Sequence, residues 1–185
     1  MGQRLDYVGL APEGIAAMRG VEHYLNTASG LEPGLVDFVR LLASLLNGCE
    51  FCVGMHGHEL KKKMNETDGR IGELAGWRES DAYTQRERAA FAWTEVVTNV
   101  QEGHVPDEAF AAVREHFSDV EVVNLTIAIA SINAWNRLGI AFRPEWRGSV
   151  KPTLGDKTAK DGAPGSGGVR EDAGDGGKVS VEEEG

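Results

Sequence analysis

Apolar residues recur along this chain at three- and four-residue intervals, and period-two alternation is nowhere sustained long enough for a sheet. Pro12 suits a first helical position, where its missing N–H costs nothing. Ile15, Met18, Val21 and Leu25 follow at helical spacing until Ser29-Gly30. Pro33 opens a second helix, running to about Leu46 and apolar on most sides: Leu35, Val36, Phe38, Val39, Leu41, Leu42, Leu45 and Leu46. Such a helix belongs in a core or at an oligomer contact. Asp37 and Arg40 interrupt it. They read either as an ordinary i,i+3 ion pair or as a carboxylate reaching the face of the next helix. A third helix spans about Cys49 to Asn65, its charged end from Glu59 to Lys63 expected in solvent. A shorter one over 68–78 carries Ile71, Leu74, Ala75 and Trp77.

Thr84-Gln85-Arg86-Glu87 has the form of a capping box. The helix it opens points Ala89, Ala90, Trp93, Val96, Val97 and Val100 inward and stops at Gly103. Pro106 begins a short helix through Phe110, Val113 and Phe117. Ser118-Asp119-Val120-Glu121 is a second capping box, and the helix after it, to about Leu138, is the most apolar of the chain. Asn124, Asn133 and Asn136 lie inside that stretch. Buried amides need partners, so these three are expected to bond to neighbouring helices or to a second subunit. The sum is an all-α, single-domain bundle of about seven helices over residues 1–147. Residues 148–185 are glycine-rich, acidic and free of aromatics. Such a segment buries too little to offset its ordering entropy and reads as a disordered tail.

Composition narrows the function. The chain has 185 residues and a formal net charge of −10, which disfavours nucleic acid and anionic membranes as partners. The first residues lack the charged-then-apolar form of a signal peptide, and no uncharged apolar run reaches spanning length. The expectation is a cytoplasmic protein. Its two cysteines, spaced as Cys-x-x-Cys, then point to redox or metal chemistry rather than to a disulfide framework.

That chemistry is concentrated between Leu46 and His56. Asn47-Gly48 is a breaker pair that places Cys49 in the first helical turn. At ~100° per residue, Cys52 lies about 60° from Cys49 around the axis, and His56 returns to within roughly 20° of it. Two thiols and an imidazole thus share one face, while His58 points the other way. Unpaired N–H groups and the helix dipole favour a thiolate at this end, and the thiolate is the reactive form. A base on the same face can take the proton. Other readings remain: two inert buried cysteines, a structural disulfide, or zinc held by Cys49, Cys52, His56 and a fourth ligand from elsewhere. A thioredoxin-like oxidoreductase would need a βαβ pattern around the cysteines, which is missing.

At these residues the sequence resembles the carboxymuconolactone decarboxylase-like family, in its alkylhydroperoxidase (AhpD-type) branch. The branch motif is a carboxylate, eleven residues, then C-x-x-C-x-x-x-H, which falls on Asp37, Cys49, Cys52 and His56. Further similarity lies in Trp77-Arg78-Glu79, Thr84 to Thr94, Gly103-His104-Val105-Pro106 and Ile132 to Arg137, so that it covers about residues 10–146. The resemblance implies an all-helical fold, a homotrimer or homohexamer, and thiol peroxidase chemistry without a bound cofactor or metal. It implies Cys52 as the peroxidatic cysteine, Cys49 as the resolving one, and His56 with Asp37 as a proton relay. The partners it implies are a peroxide substrate and an external dithiol, lipoyl-bearing or thioredoxin-like. Three departures stand out. The relay carboxylate is Asp rather than the usual Glu, and Leu42 and Leu45 occupy positions where many relatives carry Arg and Gln. The Cys-x-x-Cys pair argues against decarboxylase activity. The competing function is a thiol redox sensor or a metal-holding oligomer using the same face.

Overall fold

The long apolar helix organises the molecule. In the computed structural model, which describes residues 2–144, helix α3 (Pro33–Asn47) buries every residue from Leu35 to Ser44. It packs against α4 (Glu50–Lys63), α6 (Gln85–Thr98) and α8 (Asp119–Phe142), while α2 (Pro12–Thr27) lies on α8 and is tied to α3 through Arg40. A four-residue helix, α1 (Tyr7–Leu10), precedes these; α5 (Asp68–Glu73), continued by a 3-10 turn, and α7 (Asp107–Arg114) fill the corners. The described residues form eight α-helices and contain no strand. The expected tail, 148–185, lies outside them. None of the eight helices is by itself long and apolar enough to cross a membrane.

Two apolar clusters meet along α3. One joins Val36 and Val39 to Trp93, Val113, Phe117, Leu125 and Ile129. The other joins Phe38, Leu41 and Leu42 to Leu60, Leu74, Trp77, Tyr83 and Phe91. Here Phe91 packs edge-on against both Trp77 and Tyr83, a geometry that aromatic quadrupoles favour. Both capping boxes form: Thr84 with Glu87 at the start of α6, and Ser118 with Glu121 at the start of α8. Each satisfies donors that the first turn would otherwise leave unpaired.

The structure adjusts the sequence reading in several places. The lead before Pro12 contains α1, because Asp6 caps it, Arg4 bonds to Ala141 and Phe142, and Tyr7 stacks on Phe142. Tertiary docking holds a segment whose sequence carries no period. Helix α6 ends at Thr98, before Gly103. Val21, Leu45, Val100 and Phe110 are exposed rather than inward. The charged end of α4 is only partly in solvent: Leu60 is fully buried, and Glu59 is largely covered.

The three asparagines of α8 find partners in neighbouring helices, as expected. Asn124 donates to the Ser29 carbonyl and accepts from the Tyr24 hydroxyl. Asn133 donates to Thr98 Oγ1 and the Ile129 carbonyl. Asn136 donates to Ser44 Oγ. The Asn47 side-chain amide in turn donates to the side-chain oxygens of Asn133 and Asn136, both at 3.0 Å. These bonds pin the corner between α3 and α4 onto α8. That corner carries the cysteines.

Candidate active site

The corner is built from backbone geometry. Gly48 ends α3 in the left-handed region, φ 68°, a conformation that favours glycine because it has no Cβ. Its N–H and that of Cys49 satisfy the Leu45 and Ser44 carbonyls of α3. The chain then turns directly into α4. Cys49 is the cap residue of α4 rather than a member of its first turn, and its Sγ accepts from the Cys52 N–H at 3.4 Å. The sulfur therefore sits where the unpaired N–H groups point. Cys49 and Cys52 are joined as a disulfide across a Cα–Cα distance of 5.3 Å. Both residues are 2% exposed.

Helix α8 covers them. A Cβ on Gly139 would lie 2.8 Å from Cys49 Sγ and 3.3 Å from Cys52 Sγ. Glycine at this position is what lets the two sulfurs rest directly on the α8 backbone.

His56, one turn beyond Cys52, is buried, and neither of its ring nitrogens has a hydrogen-bond partner. Its Nδ1 lies 3.6 Å from Glu59 Oε2, ion-pair range but longer than a hydrogen bond. Asp37, from α3, completes the group: carboxylate oxygens of Asp37 and Glu59 and a nitrogen of His56 lie within 4.8 Å of one another. The two readings of Asp37 are thus both realised. Its Oδ1 accepts from Arg40 at 2.9 Å, and it also reaches the face of the next helix.

Arg40 is itself buried, bonded to Glu22 Oε2 at 2.5 Å and to Asn26. Glu22 Oε1 accepts from Ser131 and Trp135 of α8. Asp37 is therefore held by a polar chain running from α2 to α8. Leu42, at one departure from the family pattern, fills the second apolar cluster, whereas Leu45, at the other, is exposed.

Glu59 is the site residue that the sequence reading missed. It stands at the head of a charged run that reads as solvated, yet i,i+3 spacing from His56 places the two on one helix face. Lys63 bonds its other oxygen, Oε1, at 2.6 Å. The neighbouring His56, more than any other group, and then Lys63 draw its pKa from the ordinary 4.5 down to about 2, against the opposing effect of burial. A lowered folded-state pKa means that the fold favours the carboxylate. The stabilisation is complete above about pH 4.5 and is lost as pH falls toward 2. Glu59→Gln is expected to flatten the acid limb of stability in that window. Urea midpoints across the window check this; an unchanged limb would remove Glu59 from the account.

An all-helical domain with a Cys-x-x-Cys disulfide at a helix start, followed one turn later by a buried histidine, defines an AhpD-like protein. The chain belongs to the carboxymuconolactone decarboxylase family, whose model matches residues 11–96. It is similar to YdfG, an uncharacterised protein of Bacillus subtilis (strain 168). The two are 38% identical over 142 residues, 77% of this chain and 95% of the relative. A crystal structure of a protein of unknown function from Agrobacterium tumefaciens, proposed as an antioxidant-defence AhpD, is 40% identical. It covers 77% of this chain and 97% of its own, with a TM-score of 0.73. An uncharacterised peroxidase-related protein with an AhpD core from Ralstonia eutropha JMP134 shares the fold. Its TM-score is 0.67 at 21% identity, over 75% of this chain and 73% of its own.

Proposed function

We propose that the protein is a thiol-dependent alkyl hydroperoxide reductase. The observation that carries this reading is the juxtaposition where α3 meets α4: a disulfide-forming cysteine pair, with a buried histidine one turn on and two carboxylates beside that histidine. Family membership and the peroxidase-related relatives support the same class.

In the reduced protein, His56 takes the Cys52 thiol proton, and Asp37 and Glu59 balance the charge that develops on the ring. The Cys52 thiolate attacks one peroxide oxygen. The O–O bond breaks, the alcohol leaves with a proton, and Cys52 becomes a sulfenic acid. Cys49, three residues away at the helix cap, attacks that sulfur. The S–S bond forms and water leaves. An external dithiol then reduces the disulfide by exchange and is itself oxidised to a disulfide. Per cycle, one hydroperoxide and one dithiol give one alcohol, one water and one oxidised donor. No bound organic cofactor is needed. We take the donor to be lipoyl-bearing or thioredoxin-like, the protein to be cytoplasmic, and the working form to be a homotrimer or homohexamer. Exposed Leu45 and Leu46, next to the cysteine corner, are consistent with such an assembly.

The test is consumption of an alkyl hydroperoxide by purified protein with dihydrolipoamide as donor. Catalytic turnover is expected, with donor oxidised one-for-one with peroxide. If the disulfide forms stoichiometrically with peroxide but no dithiol recycles it, the protein is a redox sensor instead.

A further inference from the structure

We propose that Asp37, His56 and Glu59 form a binding site for a first-row divalent cation, with Zn²⁺ the best match, in the oxidised protein. The inference concerns a donor set without sulfur. The disulfide withdraws Cys49 and Cys52 from metal coordination, but it leaves an imidazole and two carboxylates from two helices facing one another within 4.8 Å.

Three observations carry it. First, His56 is buried with both ring nitrogens unbonded. A buried polar group ordinarily has a partner, and here the groups facing it are metal-ligating oxygens. Second, each carboxylate is already oriented by a cation on one oxygen: Arg40 on Asp37 Oδ1 and Lys63 on Glu59 Oε1. Arg40 and Lys63 thereby play the part of the outer partners that aim metal ligands, and one oxygen of each carboxylate is left without a cation. Third, the local charge is incomplete. Asp37, Glu59 and Glu22 set three carboxylates against the cations Arg40 and Lys63. One nitrogen and two oxygens from protein, with open positions for water, match the preferences of zinc. Bonds of roughly 2.0–2.2 Å would bring the ligand atoms to about 3.4 Å from one another, so the side chains would close around the ion.

The experiment uses full-length, chelator-treated protein, with the disulfide verified by the absence of free thiols. Zn²⁺ is titrated by calorimetry. One ion per chain is expected, with affinity falling at least tenfold in each of His56→Ala, Asp37→Asn and Glu59→Gln. Circular dichroism establishes that each variant is folded, and any one folded variant suffices for the comparison. The proposal is overturned by no binding, by binding unchanged in the folded variants, or by binding that appears only after reduction, since the thiols would then be the ligands. Because binding to the oxidised protein is the readout, the result stands apart from peroxide turnover. The proposal can fail while the peroxidase reading holds, and the reverse.

Discussion

Cys52→Ser is expected to abolish peroxide turnover, whereas Cys49→Ser should complete a single round and then stop. The asymmetry follows from the division of labour between the two sulfurs. A serine hydroxyl at position 52 cannot form a sulfenic acid, so no oxygen is transferred and the loss is total. At position 49 the first step survives. Cys52 is oxidised, but no neighbouring thiol condenses with it, and excess peroxide carries it on to sulfinic acid, which is irreversible for this purpose. Mass spectrometry of each variant after peroxide treatment gives the readout. Cys49→Ser should gain oxygen atoms at Cys52 and lose activity with each added equivalent; Cys52→Ser should gain none. Multiple turnovers by Cys52→Ser would reverse the assignment of the two residues.

His56→Ala is expected to lower turnover by about 30-fold at neutral pH, the factor by which an unaided thiol falls short of full ionisation there. The pH profile distinguishes a base from a merely structural residue. Without His56, the thiol must ionise unaided, with a pKa ordinarily about 8.5. The variant's rate should therefore climb steeply between neutral and alkaline pH and approach the wild type. A uniformly depressed profile would assign His56 a packing role. Asp37→Asn and Glu59→Gln should each produce a smaller loss of the same kind. The larger of the two identifies the carboxylate that couples more strongly to the ring.

The legible parts of this molecule are those with a local code. Proline starts, capping boxes and helical spacing place α2, α3, α6 and α8 to within a few residues, because each signal acts within one or two turns. The cysteine corner is legible for the same reason: Asn47-Gly48 fixes the break, and three residues on one helix fix the face. What the sequence does not display is contact between segments. Helix α1 exists because it docks on the end of α8. Gly139 reads as an ordinary helical glycine until the two sulfurs are seen resting on it. Asp37 offered two meanings, and only the packing of α3 against α4 shows that one side chain serves both. Glu59 was hidden by its company. A charged run reads as solvated, yet the helix turns Leu60 fully inward and brings Glu59 beside His56.

The burial of the disulfide sets the order of events for whatever reduces it. Both cysteines are almost wholly enclosed, with α8 laid across the sulfurs. Thiol exchange requires direct approach of the attacking sulfur, so in the proposed cycle a protein-borne donor must wait for the cover over the disulfide to open. Opening is a property of this chain and not of the donor. At high donor concentration the reduction rate then reaches a ceiling set by the opening frequency, and donors of very different strength share that ceiling. Under the proposed cycle, such an opening would meter electron flow into the protein.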